Sequence, residues 1–173
     1  MKDASRRMAV CGVGAALCVV LMVLGSALGV MTYVCPMLAG LVVGLVREEF
    51  GARDALTLWA AVALLGLLLV PELEMAALFA GLFGWYPAVR PQLERMPRWG
   101  RRTAKSALFL GAVLPIYSGL IWLLGMDGLG LGSWREALLL LVLASPVFFF
   151  YDRALGQVGP ALVPWLRRLL SRH

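Results

Sequence analysis

The chain has 173 residues, of which 61% are hydrophobic and 15% are charged, and its mean hydropathy is +0.85. A soluble globular domain is nearer half apolar and a quarter charged, so this composition indicates an integral membrane protein. The formal net charge of +6 does not indicate nucleic-acid binding, because the basic residues lie in short segments between apolar runs.

Long apolar stretches predict an all-α transmembrane bundle with six spans in a single domain. We expect these spans at residues 8–30, 35–46, 55–70, 75–89, 107–126 and 134–151. Spans two to four are shorter than the roughly 20 residues that usually cross a bilayer, so a five-span arrangement is the alternative. Residues 160–173 carry leucines on one face and arginines elsewhere, which predicts an amphipathic helix at the membrane surface.

Turn-forming residues separate the predicted spans. Gly51 predicts the end of the second helix, and Asp54 is the predicted N-cap of the third. Pro71 is expected to end the third span. Pro115 is expected to kink the fifth span, where neighbouring helices can satisfy the carbonyl group that the proline frees.

The stretch 90–105 predicts the orientation of the bundle. It is the longest strongly polar run, which predicts a loop, and it holds six basic residues against one acidic residue. Lysine and arginine near the ends of spans stay on the cytoplasmic side of a membrane. With both termini inside, every lysine and arginine except Arg135 falls on that side. We therefore predict a multi-pass protein of the bacterial cytoplasmic membrane.

The sequence contains no recognisable catalytic or metal-binding motif. Its only histidine is the last residue, and Cys11, Cys18 and Cys35 lie inside or beside apolar runs without CxxC spacing. No nucleophile motif and no phosphate-binding loop occurs. We predict a protein that is not an enzyme and uses no cofactor and no metal. No charged residue lies deep within a span, which argues against a transporter that couples uptake to an ion by itself.

The predicted outer segments hold acidic, hydroxyl and aromatic side chains. We predict that they form a pocket for a small external solute, lined by Thr32, Tyr33, Glu72, Glu74, Asp127 and Trp134. The alternative is that Glu72 and Glu74 only occupy the first turn of a helix, where a negative charge suits the helix dipole. Tyr117 is expected to be a packing or interface aromatic.

The first span carries small residues at helical spacing. Ala9, Gly12 and Ala16 lie on one face of its cytoplasmic half, and Gly25 and Gly29 repeat the spacing near the outer end. Small residues at this spacing let a second helix approach closely, so we predict that Ala9, Gly12 and Ala16 dock a partner. Packing inside the bundle is the alternative.

Four short segments carry a resemblance to a known family. They are Arg6-Arg-Met-Ala, Gly12-Val-Gly-Ala-Ala16, Pro36-Met-Leu-Ala-Gly40 and Gly84-Trp-Tyr-Pro87. With them the chain resembles the substrate-binding (S) components of energy-coupling factor (ECF) transporters, in a Firmicute-type branch of that group. The resemblance implies capture of a vitamin-like solute or a metal at the outer face. It also implies a coupling membrane subunit that docks on Gly12 and Ala16, and two ABC ATPases that power uptake.

Two other functions are weighed against this one. The first is an assembly or scaffold subunit similar to MreD of the rod-shape machinery, which is also small, six-spanned and without catalytic residues, and which would bind no solute. The second is a small self-assembling pore. A pore would need a polar stripe along a span, and none is visible in the sequence.

Overall fold

The computed structural model describes residues 2–28, 32–124 and 144–158, together with positions 142 and 164. Some sequence predictions fall outside the described residues. They are the outer segment with Asp127, the site residue Trp134, half of the sixth span, Gly29 and nearly all of the helix at 160–173.

The described part of the chain is helical, which confirms the all-α fold. The helices are α1 (Lys2–Leu28), α2 (Val34–Phe50), α3 (Ala52–Leu69), α4 (Leu73–Leu78) with a π-helical turn after it (Phe79–Phe83), α5 (Tyr86–Glu94) and α6 (Arg98–Leu124). Residues 144–158 are helical as well, and no strand occurs among the described residues.

The helices enclose two apolar clusters. The first lies among α1, α2, α3 and the start of α4, and its buried members include Cys18, Met22, Ala39, Val43, Val62 and Met75. The second lies among the π-helical turn, α5, α6 and residues 144–158, and it includes Leu82, Phe83, Tyr86, Phe109, Phe148 and Tyr151. Tyr117 belongs to the second cluster as well.

The close approach of α1 to α2 depends on Gly25. A Cβ atom at this position would lie 2.9 Å from the Cys35 Cβ and would overlap the Cys35 sulfur. Only glycine therefore fits this contact without a shift of one helix. Gly25 packs inside the bundle, as the alternative interpretation of the small residues in the first span expected.

The joint between α2 and α3 is the single residue Gly51. Its φ of 100° lies in a region that favours glycine, and its N–H donates to the Arg47 carbonyl at 2.9 Å. The predicted helix end is confirmed. The predicted N-cap at Asp54 is wrong, because Gly51 occupies that position and Asp54 lies in the first turn of α3. Its carboxylate accepts instead from Arg7 Nε of α1, at 2.9 Å.

The predicted fourth span, residues 75–89, is interrupted in the structure. α4 ends at Leu78 and continues as the π-helical turn, and a two-residue turn at Gly84–Trp85 precedes α5. The Gly84 N–H donates to the carbonyl of Phe79, five residues earlier, at 2.8 Å. That hydrogen bond is the one that defines a π-helix.

Donors from other helices satisfy carbonyl groups of the interrupted segment. Trp59 Nε1 of α3 donates to the Ala80 carbonyl at 3.1 Å, and the Tyr151 hydroxyl donates to the Phe83 carbonyl at 2.8 Å. A buried carbonyl without a partner costs about 1–3 kcal/mol, so these two side chains stabilise the π-helical turn.

The stretch 90–105 is mostly helical, which corrects the prediction of a loop. α5 continues to Glu94 and α6 begins at Arg98, so only residues 95–97 connect them. Arginine, glutamine, glutamate and lysine have good helix propensities, and they extend the helices beyond the apolar sequence. The polarity of this stretch was therefore a poor guide to where the helices end.

Two of the described helices are long and apolar enough to cross a membrane. They are Ser5–Leu28 within α1 and Ala52–Leu69, which is α3. α3 ends before Pro71, as predicted, whereas α6 passes through Pro115 as one helix of 27 residues. The six-span arrangement would need four membrane-crossing segments besides these two helices.

Candidate functional site

Hydroxyl and carboxylate groups meet where the turn before α2, the start of α4 and the middle of α6 come together. The Thr32 hydroxyl donates to Glu72 Oε1 at 2.7 Å. The hydroxyls of Tyr33 and Tyr117 donate to the same oxygen, Glu74 Oε1, at 3.1 and 2.8 Å. The two tyrosine oxygens lie 3.5 Å apart. We call these five residues the acid–hydroxyl cluster.

The structure brings together all the predicted solute-binding residues that it describes. Thr32 and Tyr33 precede α2, and Glu72 and Glu74 begin α4, so two separate turns meet at one end of the bundle. Asp127 and Trp134, also predicted for the pocket, lie outside the described residues.

Tyr117 joins the cluster although sequence reasoning assigned it to packing. Its ring is buried, and its hydroxyl reaches Glu74 from α6. Phe109 and Val113, spaced four residues apart before it, are buried on the same helix face. The sequence therefore did contain evidence for the role of Tyr117: its spacing from Phe109 and Val113 places a polar aromatic side chain on the buried face of the helix.

Glu72 occupies the N-cap position of α4, but its side chain does not cap the helix. One carboxylate oxygen binds Thr32, while Oε2 is buried with no hydrogen-bond partner among the described residues. An unpaired buried acceptor costs about 1–3 kcal/mol. Helix-dipole stabilisation alone does not explain why Oε2 is buried without a partner.

The tyrosine hydroxyls of the cluster act as neutral donors. Burial raises the pKa of Tyr33 above its usual range. A hydrogen bond with Tyr117 lowers this pKa by less than burial raises it, and the neighbouring Glu74 carboxylate raises it further. Tyr33 therefore keeps its proton at physiological pH and continues to donate to Glu74.

An apolar cavity of about 290 Å³ lies directly against the tyrosines. Its walls come from α4, the π-helical turn, α6 and residues 144–158. The lining residues are Tyr33, Leu78, Leu82, Phe83, Phe109, Val113, Tyr117, Ala144, Val147 and Phe148. The two tyrosines supply the polar groups of the lining, so a molecule in this cavity would have one polar end and an apolar body.

The predicted docking residues lie on the outside of α1. Ala9, Gly12 and Ala16 are all exposed, and a Cβ atom at Gly12 would meet no described atom within 4 Å. The large apolar side chains of Val13 and Leu17 are exposed beside them. Internal packing therefore accounts for Gly25 but not for these three residues.

A second polar group, which sequence reasoning missed, surrounds Asp152. The Tyr86 hydroxyl donates to Asp152 Oδ1 at 2.6 Å, Arg90 Nε donates to the same oxygen at 3.0 Å, and Lys105 Nζ donates to Oδ2. Lys105 is only 7% exposed. We call these four residues the Asp152 network.

These arrangements are suited to binding. Among the described residues no group of three or more histidine, cysteine or carboxylate side chains could hold a metal ion. The cavity offers shape, apolar contact and a few hydrogen-bonding groups, which is the usual composition of a small-molecule site. No family model, curated protein or solved structure matches the chain.

Proposed function

We propose that the chain is an integral protein of the bacterial cytoplasmic membrane, with six spans and both termini inside. Support comes from the surfaces of α1 and α3. Only 22% of the apolar window in each helix is buried, and Leu24, Leu64 and Leu68 are among the large exposed side chains. A core helix of a soluble protein is buried on most sides, whereas uncovered apolar surface of this extent suits lipid.

Charged contacts at one end of the bundle support the proposed orientation. Arg7 near the start of α1 pairs with Asp54 at the start of α3. Arg47 near the end of α2 donates to the Ala88 carbonyl of α5 at 3.1 Å. Segments that the charge pattern assigns to the inside therefore lie together, away from the acid–hydroxyl cluster. An excess of arginine and lysine at one end is typical of a cytoplasmic face.

We infer that the cavity binds a small, vitamin-like organic solute and that the protein serves as the substrate-binding subunit of an ECF-type importer. The observation that carries this inference is the apolar cavity with Tyr33 and Tyr117 in its lining and Glu74 hydrogen-bonded to both of their hydroxyls. Aromatic walls accept a flat apolar body, and the polar end selects a solute with a hydrogen-bond donor or positive charge. A metal ion fits these apolar walls less well.

The exposed face of α1 supports the proposed partners. In lipid, helices associate where small residues let their backbones approach, and Ala9, Gly12 and Ala16 offer such a surface. The partner on this face would be the coupling transmembrane subunit, which in turn carries two ABC ATPases. Uptake would then draw its energy from ATP hydrolysis by those subunits.

The test is capture of a solute by the tagged protein, purified in mild detergent and analysed by mass spectrometry of small molecules and proteins. Glu74→Gln and Tyr117→Phe should retain clearly less solute than the unaltered protein. Glu48→Gln, a matched control with a half-exposed side chain at the other end of the bundle, should keep it. Capture that is equal in all three variants, or absent from the unaltered protein, would refute the cavity as the binding site.

The exposed face of α1 is also compatible with the scaffold function, because an assembly subunit needs a docking surface too. The two functions differ in what co-purifies. A coupling subunit with ATPases and a solute in the cavity supports the importer. Cell-wall assembly proteins together with an empty cavity would support the MreD-like alternative.

A further inference from the structure

A basic pocket lies at the end of the bundle opposite the acid–hydroxyl cluster. It has a volume of about 400 Å³ and lies among α5, α6 and residues 144–158. Five basic side chains and two carboxylates line it, with a phenylalanine at its edge. These residues are Arg90, Arg101, Arg102, Lys105, Arg153, Glu94, Asp152 and Phe149.

The two carboxylates of the pocket are already engaged. Asp152 accepts from its three partners in the Asp152 network, and Glu94 pairs with Arg90 across one helical turn. No described carboxylate lies within ion-pair distance of Arg101, Arg102 or Arg153. The described part of the pocket therefore carries positive charge that its own acids do not balance.

The start of α6 increases this positive potential. No acidic residue lies in the first turn of the helix, and Arg101 and Arg102 follow directly. The N-terminus of a helix carries a partial positive charge, which adds to the charge of these two arginines. Guanidinium groups bind phosphate oxygens through paired hydrogen bonds, which makes a phosphate group the anion of choice.

Apolar surface continues from the rim of the pocket. Phe149 lines the pocket and is 47% exposed, and Phe150 beside it is 71% exposed. Exposed phenylalanines do not stabilise a small soluble anion. A phospholipid, in contrast, can place its phosphate on the arginines and its acyl chains along the phenylalanines.

We propose that this pocket binds the phosphate headgroup of an anionic phospholipid. The proposal rests on the membrane location proposed above, and it is independent of solute binding in the apolar cavity.

The test measures thermal stabilisation of the detergent-purified protein by added phosphatidylglycerol, with phosphatidylcholine as the neutral lipid. Arg102→Gln with Arg153→Gln removes two charges from the pocket. Arg6→Gln with Arg53→Gln removes two charges from other helices at the same end and is the matched control. We expect the apparent affinity for phosphatidylglycerol to fall about 30-fold in the pocket variant and to change little in the control.

Three results would overturn the proposal. Equal losses in the two double variants would show attraction by overall charge and no specific site. Equal stabilisation by phosphatidylcholine would remove the anionic preference. Stabilisation by inorganic phosphate at concentrations as low as the lipid requires would make this a site for soluble anions. Solute capture is measured separately, so its failure leaves this result unaffected, while a chain that purifies without detergent would refute the membrane location itself.

Discussion

Alanine substitutions at two glycines of α1 test whether the two parts of this helix have different roles. Gly25→Ala places a methyl group 2.9 Å from the Cys35 Cβ and in overlap with its sulfur. Overpacking of this kind costs about 1–3 kcal/mol. Gly12→Ala meets no described atom within 4 Å, and alanine is favoured over glycine inside a helix by about 0.5–1 kcal/mol. The two substitutions should therefore change the free energy of unfolding in opposite directions.

Thiol labelling during heating measures this difference directly. Cys18 and Cys35 are free and buried, so a thiol-reactive fluorophore reaches them only when the bundle opens. For a chain of this size, 1 kcal/mol corresponds to a Tm shift of about 2–4 °C. Gly25→Ala should lower the Tm by about 2–12 °C, and Gly12→Ala should raise it by about 1–4 °C.

Two results would refute the reasoning. If Gly12→Ala lowers the Tm as much as Gly25→Ala does, Gly12 packs inside the bundle and the docking face is misassigned. If Gly25→Ala leaves the Tm unchanged, α1 and α2 do not approach as closely as the contact with Cys35 requires.

Three further substitutions probe the docking face, the cavity and the Asp152 network, and a fourth at Asp54 is the control for the network. Ala16→Leu should abolish association with the proposed membrane partner in a pull-down while leaving the Tm unchanged, because Ala16 is exposed. Tyr117→Phe should weaken solute binding about tenfold in a calorimetric titration, since it removes one hydroxyl and keeps the ring. Asp152→Asn should lower the free energy of unfolding by about 3–5 kcal/mol, because it leaves buried Lys105 without its charge partner. Asp54→Asn should cost less than about 1 kcal/mol, because the side chain of its partner is 48% exposed. Burial raises the pKa of Asp152, but hydrogen bonds from three neighbours outweigh burial and lower it below its ordinary value. The Asp152 carboxylate therefore contributes its full stabilisation of the fold at pH values above its ordinary pKa. This contribution should be lost as the pH falls below about 4, which an acid titration of the free energy of unfolding would show.

Each of these expectations has an outcome that contradicts it. Partner association that survives Ala16→Leu would reject the docking face. Solute affinity unchanged in Tyr117→Phe would remove that hydroxyl from the site. Equal costs for Asp152→Asn and Asp54→Asn would mean that burial does not strengthen the Asp152 network, and an acid profile of Asp152→Asn identical to that of the unaltered chain would reject its pH role.

The sequence allowed us to predict that the turn before α2 meets the turn before α4, because successive helices run in opposite directions. Consecutive helices that alternate in direction bring every second connection to the same end of a bundle. Thr32 and Tyr33 in one connection therefore meet Glu72 and Glu74 in another, and the hydrogen bonds follow from residue type. Tyr117 escaped prediction because a tyrosine in an apolar helix is usually assigned to packing or to the membrane interface.

The interruption after α4 and the Asp152 network could not be predicted in the same way. The π-helical turn needs the Tyr151 hydroxyl, which comes from a helix distant in the sequence, to satisfy the Phe83 carbonyl. Asp152 beside Arg153 looks like an ordinary charged helix end until Arg90 and Lys105 converge on it from two other helices. Local sequence propensities cannot predict such contacts, because the contacts form only when the helices pack together.

Packing also joins the cavity to the Asp152 network. Helix α6 contributes Tyr117 to the polar end of the cavity and Lys105 to the network, about 18 Å apart along its axis. Phe148 forms part of the cavity wall, and its ring lies 5.0 Å from the ring of Tyr86, whose hydroxyl donates to Asp152. Side chains packed at the density of a protein interior do not move independently. The ring contact between Phe148 and Tyr86 therefore connects the wall of the proposed solute site to the end of the bundle where the basic residues gather.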